Sequence, residues 1–214
     1  MKKYRILILG ASYGSLLGIK LALAEHDVDL VCLPQEVELI NKEGAIVRLP
    51  IREKDKVIEL RSSDCPGSLN ALGPSDVDIS TYDLIALAMQ EPQYGADEIA
   101  ELLKEIGLSK KPCMSIMNMP PLPYIARIQG LDISKLDGAY TKPDVWKYFD
   151  SNCMTLCSPD PQAFRPPDEN INVLQVGLPT NFKAARFESD QQTQILRDLQ
   201  TDIEKINTSF DISI

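Results

Sequence analysis

The sequence is poor in the residues that most metal sites and acid–base sites use. One histidine, His26, occurs in 214 residues, and the five cysteines follow no recognised zinc-binding spacing. We therefore expect no metal site, and no histidine-dependent catalytic triad unless His26 serves in it. A basic surplus is also lacking, because the formal net charge is −9. This charge argues against a nucleic-acid partner, which a basic surface would attract.

Long apolar runs are missing as well. No segment approaches the roughly 18 consecutive apolar residues that predict a membrane span, and Met1-Lys2-Lys3 leads directly into a strand-like segment. We expect no membrane association, no signal peptide and a cytoplasmic location. The apolar content of 44% is sufficient for a large core, and a charged content of 25% is typical of a folded globular chain.

The most informative feature is a short apolar run that leads into a glycine-containing turn. Ile6 to Leu9 are apolar, and Gly10-Ala11-Ser12-Tyr13-Gly14-Ser15 follows at once. This order predicts a strand, a tight turn and the start of a helix, which would bring backbone N–H groups to the pyrophosphate of a dinucleotide. The motif reads G-x-S-x-x-S rather than G-x-G-x-x-G. An ordinary strand-to-helix turn without a ligand is the alternative interpretation.

The residues after this turn fit a βαβ unit. Residues 16–24 predict an apolar helix, and residues 28–33 predict a second strand. Gly14, Gly18 and Ala22 recur every four residues, so they predict a helix face without bulky side chains that lies close to a sheet.

Strand-like and helix-like segments alternate further along the chain. The pattern predicts a helix at 34–41, a hairpin from 44–49 and 56–60, a loop at 62–80, a strand at 82–89, a helix at 96–106, a strand at 112–117 and a final helix at about 191–206. The fold class is α/β, a doubly wound and mainly parallel sheet with an irregular C-terminal part that ends in a helix. The segments at 10–15, 33–35, 89–93 and 117–121 should meet at the carboxyl edge of this sheet.

Residues 1 to about 190 resemble the N-terminal domain of the ketopantoate reductases and their uncharacterised relatives. The resemblance rests on the segment from Ile8 to Ser15, on His26-Asp27-Val28, on the strand from Asp83 to Gln90, and on Met117-Asn118-Met119. It implies a Rossmann domain over residues 1–190, with residues 191–214 as a terminal helix that could lead to an absent helical domain. It further implies NADPH-dependent reduction of a 2-oxo acid.

The resemblance also implies roles for individual residues. Gly10, Ala11, Ser12, Tyr13, Gly14 and Ser15 would hold the pyrophosphate, Leu33 would border the adenosine, Met89 and Gln90 would lie beside the cofactor, and Asn118 would contact the substrate. Leu33 replaces the family arginine that binds the 2′-phosphate, and Gln90 replaces a family lysine. The cofactor is therefore expected to be NADP or NAD, with the choice open.

The family's proton-donating lysine belongs to a helical domain that would begin near the end of this sequence. We therefore expect a chain that binds the cofactor and needs a missing helical domain, or a partner such as a second copy, for turnover. Two alternatives stay open. One is a non-catalytic nucleotide-binding or sensing module, and the other is an enzyme similar to the opine dehydrogenases.

Overall fold

The computed structural model describes residues 2–51, 56–117, 119–128, 130–157, 161–164, 173–176, 187 and 189–211. The helices of this part are α1 (Ala11–Leu23), α2 (Pro34–Glu43), α3 (Asp97–Ser109), α4 (Leu122–Ile125) and α5 (Asp190–Ser209). The strands are β1 (Arg5–Leu9), β2 (Asp27–Val31), β3 (Ile46–Pro50), β4 (Val57–Arg61), β5 (Ser68–Leu72), β6 (Leu84–Leu87), β7 (Cys113–Ser115), β8 (Met154–Leu156), β9 (Pro161–Phe164) and β10 (Val173–Val176).

Within the described residues, six parallel strands form one sheet in the order β5-β2-β1-β6-β7-β8. The chain starts at the centre, builds outward through β2 to β5, then returns to the other side of β1 and builds outward again. The direction of building therefore reverses between β1 and β6. In sheets of this kind ligands bind outside the carboxyl ends of the strands at that reversal. The predicted doubly wound parallel sheet is confirmed.

The sheet separates two apolar cores. Along β1, Ile6 and Ile8 belong to the core that also contains residues of α1 and α5. Leu7 and Leu9 alternate with them and belong to the core on the opposite face, together with residues of α3. All four side chains are fully buried, as the continuous apolar run of a central parallel strand requires.

Two predictions about segments outside the central βαβ unit had different outcomes. The predicted hairpin is confirmed, since β3 and β4 pair antiparallel from Ile46 opposite Arg61 to Pro50 opposite Val57. The predicted loop at 62–80 is wrong in its middle, because β5 lies there and pairs in parallel with the whole of β2. The side chains of Ser68 and Asn70 contribute to this pairing, since they donate to Asp27 (2.6 Å) and Asp29 (3.3 Å).

The final helix packs against the beginning of the chain. Ser189 caps α5, since its hydroxyl accepts the N–H of Gln192 at 3.4 Å. The Tyr4 hydroxyl donates to Asp198 Oδ2 at 2.5 Å. Asp202, which is 4% exposed, lies with Oδ2 3.6 Å from His26 Nε2. Helix α5 thus covers one face of the sheet, while the domain boundary at residue 190 stays a prediction.

His26 is a buried structural residue that precedes β2. Its Nδ1 accepts the N–H of Tyr4 at 3.2 Å, so the neutral ring carries its proton on Nε2, towards Asp202. Burial lowers the pKa of His26, and the carboxylates of Asp202, Asp27 and Glu25 counteract this only in part. Because His26 lies at the amino end of β2, it is at the opposite edge of the sheet from the ligand crevice.

We expect the free energy of unfolding to decrease as the pH falls below 6.5, the ordinary pKa of histidine. Just below this pH the unfolded chain binds a proton at His26 that the folded chain, with its lowered pKa, does not yet bind. Urea unfolding at a series of pH values measures the slope. The His26→Asn variant keeps an acceptor near Tyr4 and should lose most of the slope; an unchanged slope in this variant would assign it to other groups.

None of the described helices is long and apolar enough to cross a membrane. In the described part of the chain, no cluster of three or more His, Cys, Asp or Glu side chains is suited to a metal ion.

Candidate functional site: the carboxyl edge of the sheet

Gly10 connects β1 to α1 at the point where the direction of sheet building reverses. Its backbone has φ +108° and ψ 123°, a conformation that residues with a side chain rarely adopt. Its N–H donates to the carbonyl of Val31, at the end of β2, with a distance of 2.8 Å. A Cβ built on Gly10 would lie 2.6 Å from Met89 Cγ and 2.8 Å from the carbonyl oxygen of Ala88. The turn therefore needs glycine to fit between the ends of β2 and β6.

The first turn of α1 points its backbone N–H groups towards this edge. Gly10 precedes the helix and offers no side-chain cap, and the first turn contains no acidic residue. Ala11, Tyr13 and Gly14 are buried, whereas Ser12 is exposed and Ser15 is half-buried. A helix start without a side-chain cap carries a partial positive charge and suits an anion.

The small-residue face of α1 is confirmed. A Cβ on Gly14 would lie 2.8 Å from Ile8 Cγ2, and one on Gly18 would lie 2.8 Å from Leu69 Cδ1. The helix therefore lies directly on the side chains of the sheet. Gly14, rather than the half-buried Ser15, makes the close helix–strand contact that the third glycine of the motif usually makes.

Leu33 follows the carboxyl end of β2 and is 67% exposed. Its N–H donates to Glu36 Oε2 at 3.1 Å, while its carbonyl accepts the N–H of Glu36 at 2.8 Å. Glu36 thus caps the start of α2 with its carboxylate. Burial, and then the charge of Glu36, raises the pKa of the neighbouring Cys32 thiol to about 12. The sequence analysis missed this contact, although a proline at the first helical position and a glutamate in the first turn could have indicated it.

Asp29 is an acidic residue of β2 itself, but it is committed to other contacts. It is 5% exposed and accepts hydrogen bonds from Arg5 Nη2 (3.0 Å) and from the Tyr82 hydroxyl (2.9 Å). Asn70 also donates to it. Burial, followed by the charge of Asp29, raises the pKa of Tyr82, which therefore stays a neutral donor. Asp29 stabilises the sheet and does not face the crevice beyond Val31.

Met89 and Gln90 follow β6 on the other side of the reversal. The N–H of Met89 donates to the hydroxyl of the fully buried Tyr94 at 3.0 Å. The exposed Gln90 donates its N–H to Gln93 Oε1 at 2.8 Å, at the start of a 3-10 helix over Glu91–Gly95. Burial raises the pKa of Tyr94 well above the ordinary value for tyrosine, so this hydroxyl is neutral. The anchoring role of Tyr94 was not predicted, and no sequence signal points to it.

The segment after β7 reaches the same edge. The N–H of Ile116 donates to the carbonyl of Leu87 at 2.9 Å, and Met117 is buried. Asn118, the predicted substrate contact, lies outside the described residues. The structure thus brings together the residues after β1, β2, β6 and β7, namely Gly10 to Ser15, Leu33, Met89, Gln90 and Met117, but it does not test the predicted role of any of them.

The four segments that meet here, described over residues 10–15, 32–35, 88–93, 116–117 and 119–121, contain no lysine or arginine. A pyrophosphate at this edge would therefore be held by backbone N–H groups and the helix dipole, without a cationic side chain from these segments. The start of α1 and the exposed Ser12 fit such a group. A 2′-phosphate beyond β2 would meet the carboxylate of Glu36.

Comparisons with solved structures agree with the observed α/β fold. One match is a structure from Ralstonia solanacearum MolK2 whose name is ketopantoate reductase. Its TM-score is 0.57 and its sequence identity is 15%, over 95% of this chain and 59% of that one. This chain has a Rossmann fold. It spans about three fifths of the length of that structure. No family model and no curated protein matches the sequence.

Other solved structures match at lower TM-scores. A 2-dehydropantoate 2-reductase from Methylococcus capsulatus has a TM-score of 0.47 and 15% identity, over 94% of this chain and 54% of that one. A D-mandelate dehydrogenase solved with NADH has a TM-score of 0.44 and 14% identity, over 94% of this chain and 52% of that one.

Proposed function

We propose that this chain is the nicotinamide-dinucleotide-binding part of an oxidoreductase that acts on a 2-oxo acid. The observation that carries the proposal is the Gly10 turn, because it opens α1 at the reversal point between β1 and β6. The Rossmann fold shared with a structure named for ketopantoate reductase supports it further. Dinucleotides bind Rossmann folds in this crevice, with the pyrophosphate at the first helix.

Each predicted residue has a part in this proposal. The N–H groups from Gly10 to Ser15 bind the pyrophosphate, and Leu33 borders the adenosine. Met89 and Gln90 line the far side of the crevice, and Asn118 orients the carbonyl of the substrate. The bound nicotinamide supplies the hydride chemistry.

The proton donor is proposed to come from a helical domain or a partner chain. The described segments at the carboxyl edge contain no lysine, and His26 lies at the other edge of the sheet. A carbonyl that receives a hydride needs a proton source within hydrogen-bond reach. A helical domain or a partner chain would provide that source.

The Ser12→Glu variant should bind NADH and NADPH at least tenfold more weakly, which corresponds to about 1.4 kcal/mol. Ser12 is exposed at the second position of α1, so a carboxylate there repels a pyrophosphate while it favours the helix dipole. Isothermal titration calorimetry with each dinucleotide measures the change.

Gln191→Glu is the matched control, because Gln191 is exposed at the second position of α5. It adds the same charge to the same kind of helix position, far along the chain from the turn. Equal affinities of both variants and the unaltered chain would contradict a pyrophosphate site at α1. Thermal unfolding confirms that both variants are folded.

The second candidate is a non-catalytic module that binds a nucleotide without turnover. The absence of lysine and arginine from the four edge segments favours it. Oxidation of NADH and NADPH in the presence of a panel of 2-oxo acids separates the two functions. Turnover by the chain, alone or with added partner, supports the oxidoreductase, whereas tight binding without turnover supports the module.

A further inference from the structure

The carboxylate of Glu36 lies beside Leu33, just beyond the carboxyl end of β2. In Rossmann folds the end of the second strand lies beside the ribose of the adenosine, where an acidic residue binds the 2′-hydroxyl and an arginine accommodates a 2′-phosphate. Here that strand is β2, and Leu33 follows its end. Glu36 Oε2 lies 3.1 Å from the N–H of Leu33, which holds the negative charge at this position.

No cationic side chain in the neighbouring segment compensates the negative charge of Glu36. Residues 32–35 are Cys, Leu, Pro and Gln, and none is cationic. Glu36 is half-buried, so its field is screened less than that of a fully exposed carboxylate. The hydrogen bond from Leu33 uses one carboxylate oxygen and leaves the other able to accept a ribose hydroxyl.

We propose that Glu36 makes this site select NADH over NADPH, a statement that rests on the proposed dinucleotide site. The 2′-hydroxyl of NADH donates to the carboxylate, whereas the 2′-phosphate of NADPH carries about two negative charges into it. The exposed side chain of Leu33 packs against the ribose and offers a phosphate no donor. The selectivity for NADH over NADPH thus follows from Glu36, which caps α2 three positions after Leu33.

The decisive variant is Glu36→Gln. A glutamine keeps the size of the side chain and its oxygen still accepts the N–H of Leu33, so the cap of α2 is retained. Glu38→Gln is the matched control, because Glu38 is exposed on the same helix and the substitution removes the same charge. Calorimetric titration of NADH and NADPH into each protein, at low and at high salt, gives the ratio of the two dissociation constants.

The unaltered chain should bind NADH at least about tenfold more tightly than NADPH, and Glu36→Gln should reduce this ratio to near unity, mainly by improving NADPH binding. Glu38→Gln should leave the ratio unchanged. High salt should reduce the discrimination in the unaltered chain and have less effect on Glu36→Gln.

Three outcomes would overturn the inference. Equal or tighter binding of NADPH by the unaltered chain refutes the selectivity and leaves the dinucleotide site in place. A ratio that survives Glu36→Gln refutes the role of Glu36. Binding of neither dinucleotide to the folded chain refutes the inference together with the proposed function, so the two failures are distinguishable.

Discussion

Replacing Gly10 with alanine should lower the free energy of unfolding by about 3 kcal/mol. Two costs combine at this position. The backbone has φ +108°, and a Cβ would press to 2.8 Å from the carbonyl oxygen of Ala88. That oxygen belongs to the backbone next to β6, which cannot move without disturbing the sheet. Urea unfolding followed by circular dichroism measures the loss.

Alanine variants of two other glycines separate the cost of the backbone conformation from the cost of the contact with Ala88. Gly130 has φ +88° with no atom within 4 Å of a built Cβ, so Gly130→Ala should cost about 1 kcal/mol from the backbone alone. Gly138 has open space and no unusual φ, so Gly138→Ala should be close to neutral. If Gly10→Ala were no worse than Gly130→Ala, the contact with Ala88 would contribute nothing. Loss of nucleotide binding in a Gly10 variant would also be ambiguous, which is why Ser12 is the better probe.

Replacing Asp29 with alanine should cost about 3 kcal/mol, because it leaves the buried hydroxyl of Tyr82 and the guanidinium of Arg5 without their acceptor. Tyr82 is 2% exposed, so water cannot replace the carboxylate there. The Arg5 side chain is 45% exposed, and solvent screens its share of the loss. The same urea unfolding experiment measures the effect.

Two variants test the origin of this loss. Asp29→Asn keeps an oxygen for Tyr82 and should cost about half as much as the alanine variant. Asp144→Ala removes an exposed aspartate and should change the free energy of unfolding by less than about 0.5 kcal/mol. A cost at Asp29 as small as that at Asp144 would show that the four-residue network of Arg5, Asp29, Asn70 and Tyr82 does not stabilise the sheet.

The central unit of the fold was predictable because its signals are local. The apolar run before Gly10, the small-residue spacing of α1 and the Ser189 cap of α5 each indicate their structure within a few residues. Strands β5 and β8 were missed for the opposite reason. Ser68–Leu72 has a weak alternation, and Met154–Leu156 is only three residues long. Both become strands through pairing with β2 and β7, which no local pattern reveals.

The features of the candidate site likewise divide into those that the sequence could predict and those that it could not. Its location at the carboxyl edge follows from the βαβ pattern and was predicted. The contact between Leu33 and Glu36 spans three residues and could have been predicted from the proline and the glutamate in the first turn of α2. The burial of His26 could not, since it depends on Asp202 of α5, a residue far along the chain. Sequence spacing indicates neighbours on one element, and only the packed fold indicates neighbours between elements.

The attachment of α5 to the beginning of the chain has a consequence for synthesis. Tyr4 and His26 find their partners in Asp198 and Asp202, which the ribosome makes last among the described elements. The face of the sheet under α5 therefore stays uncovered until translation has passed Ser209. A nascent chain that stalls earlier exposes apolar side chains of β1 and α1 to chaperones or to aggregation. Helix α5 thus sets the time at which the first strand can complete its folding.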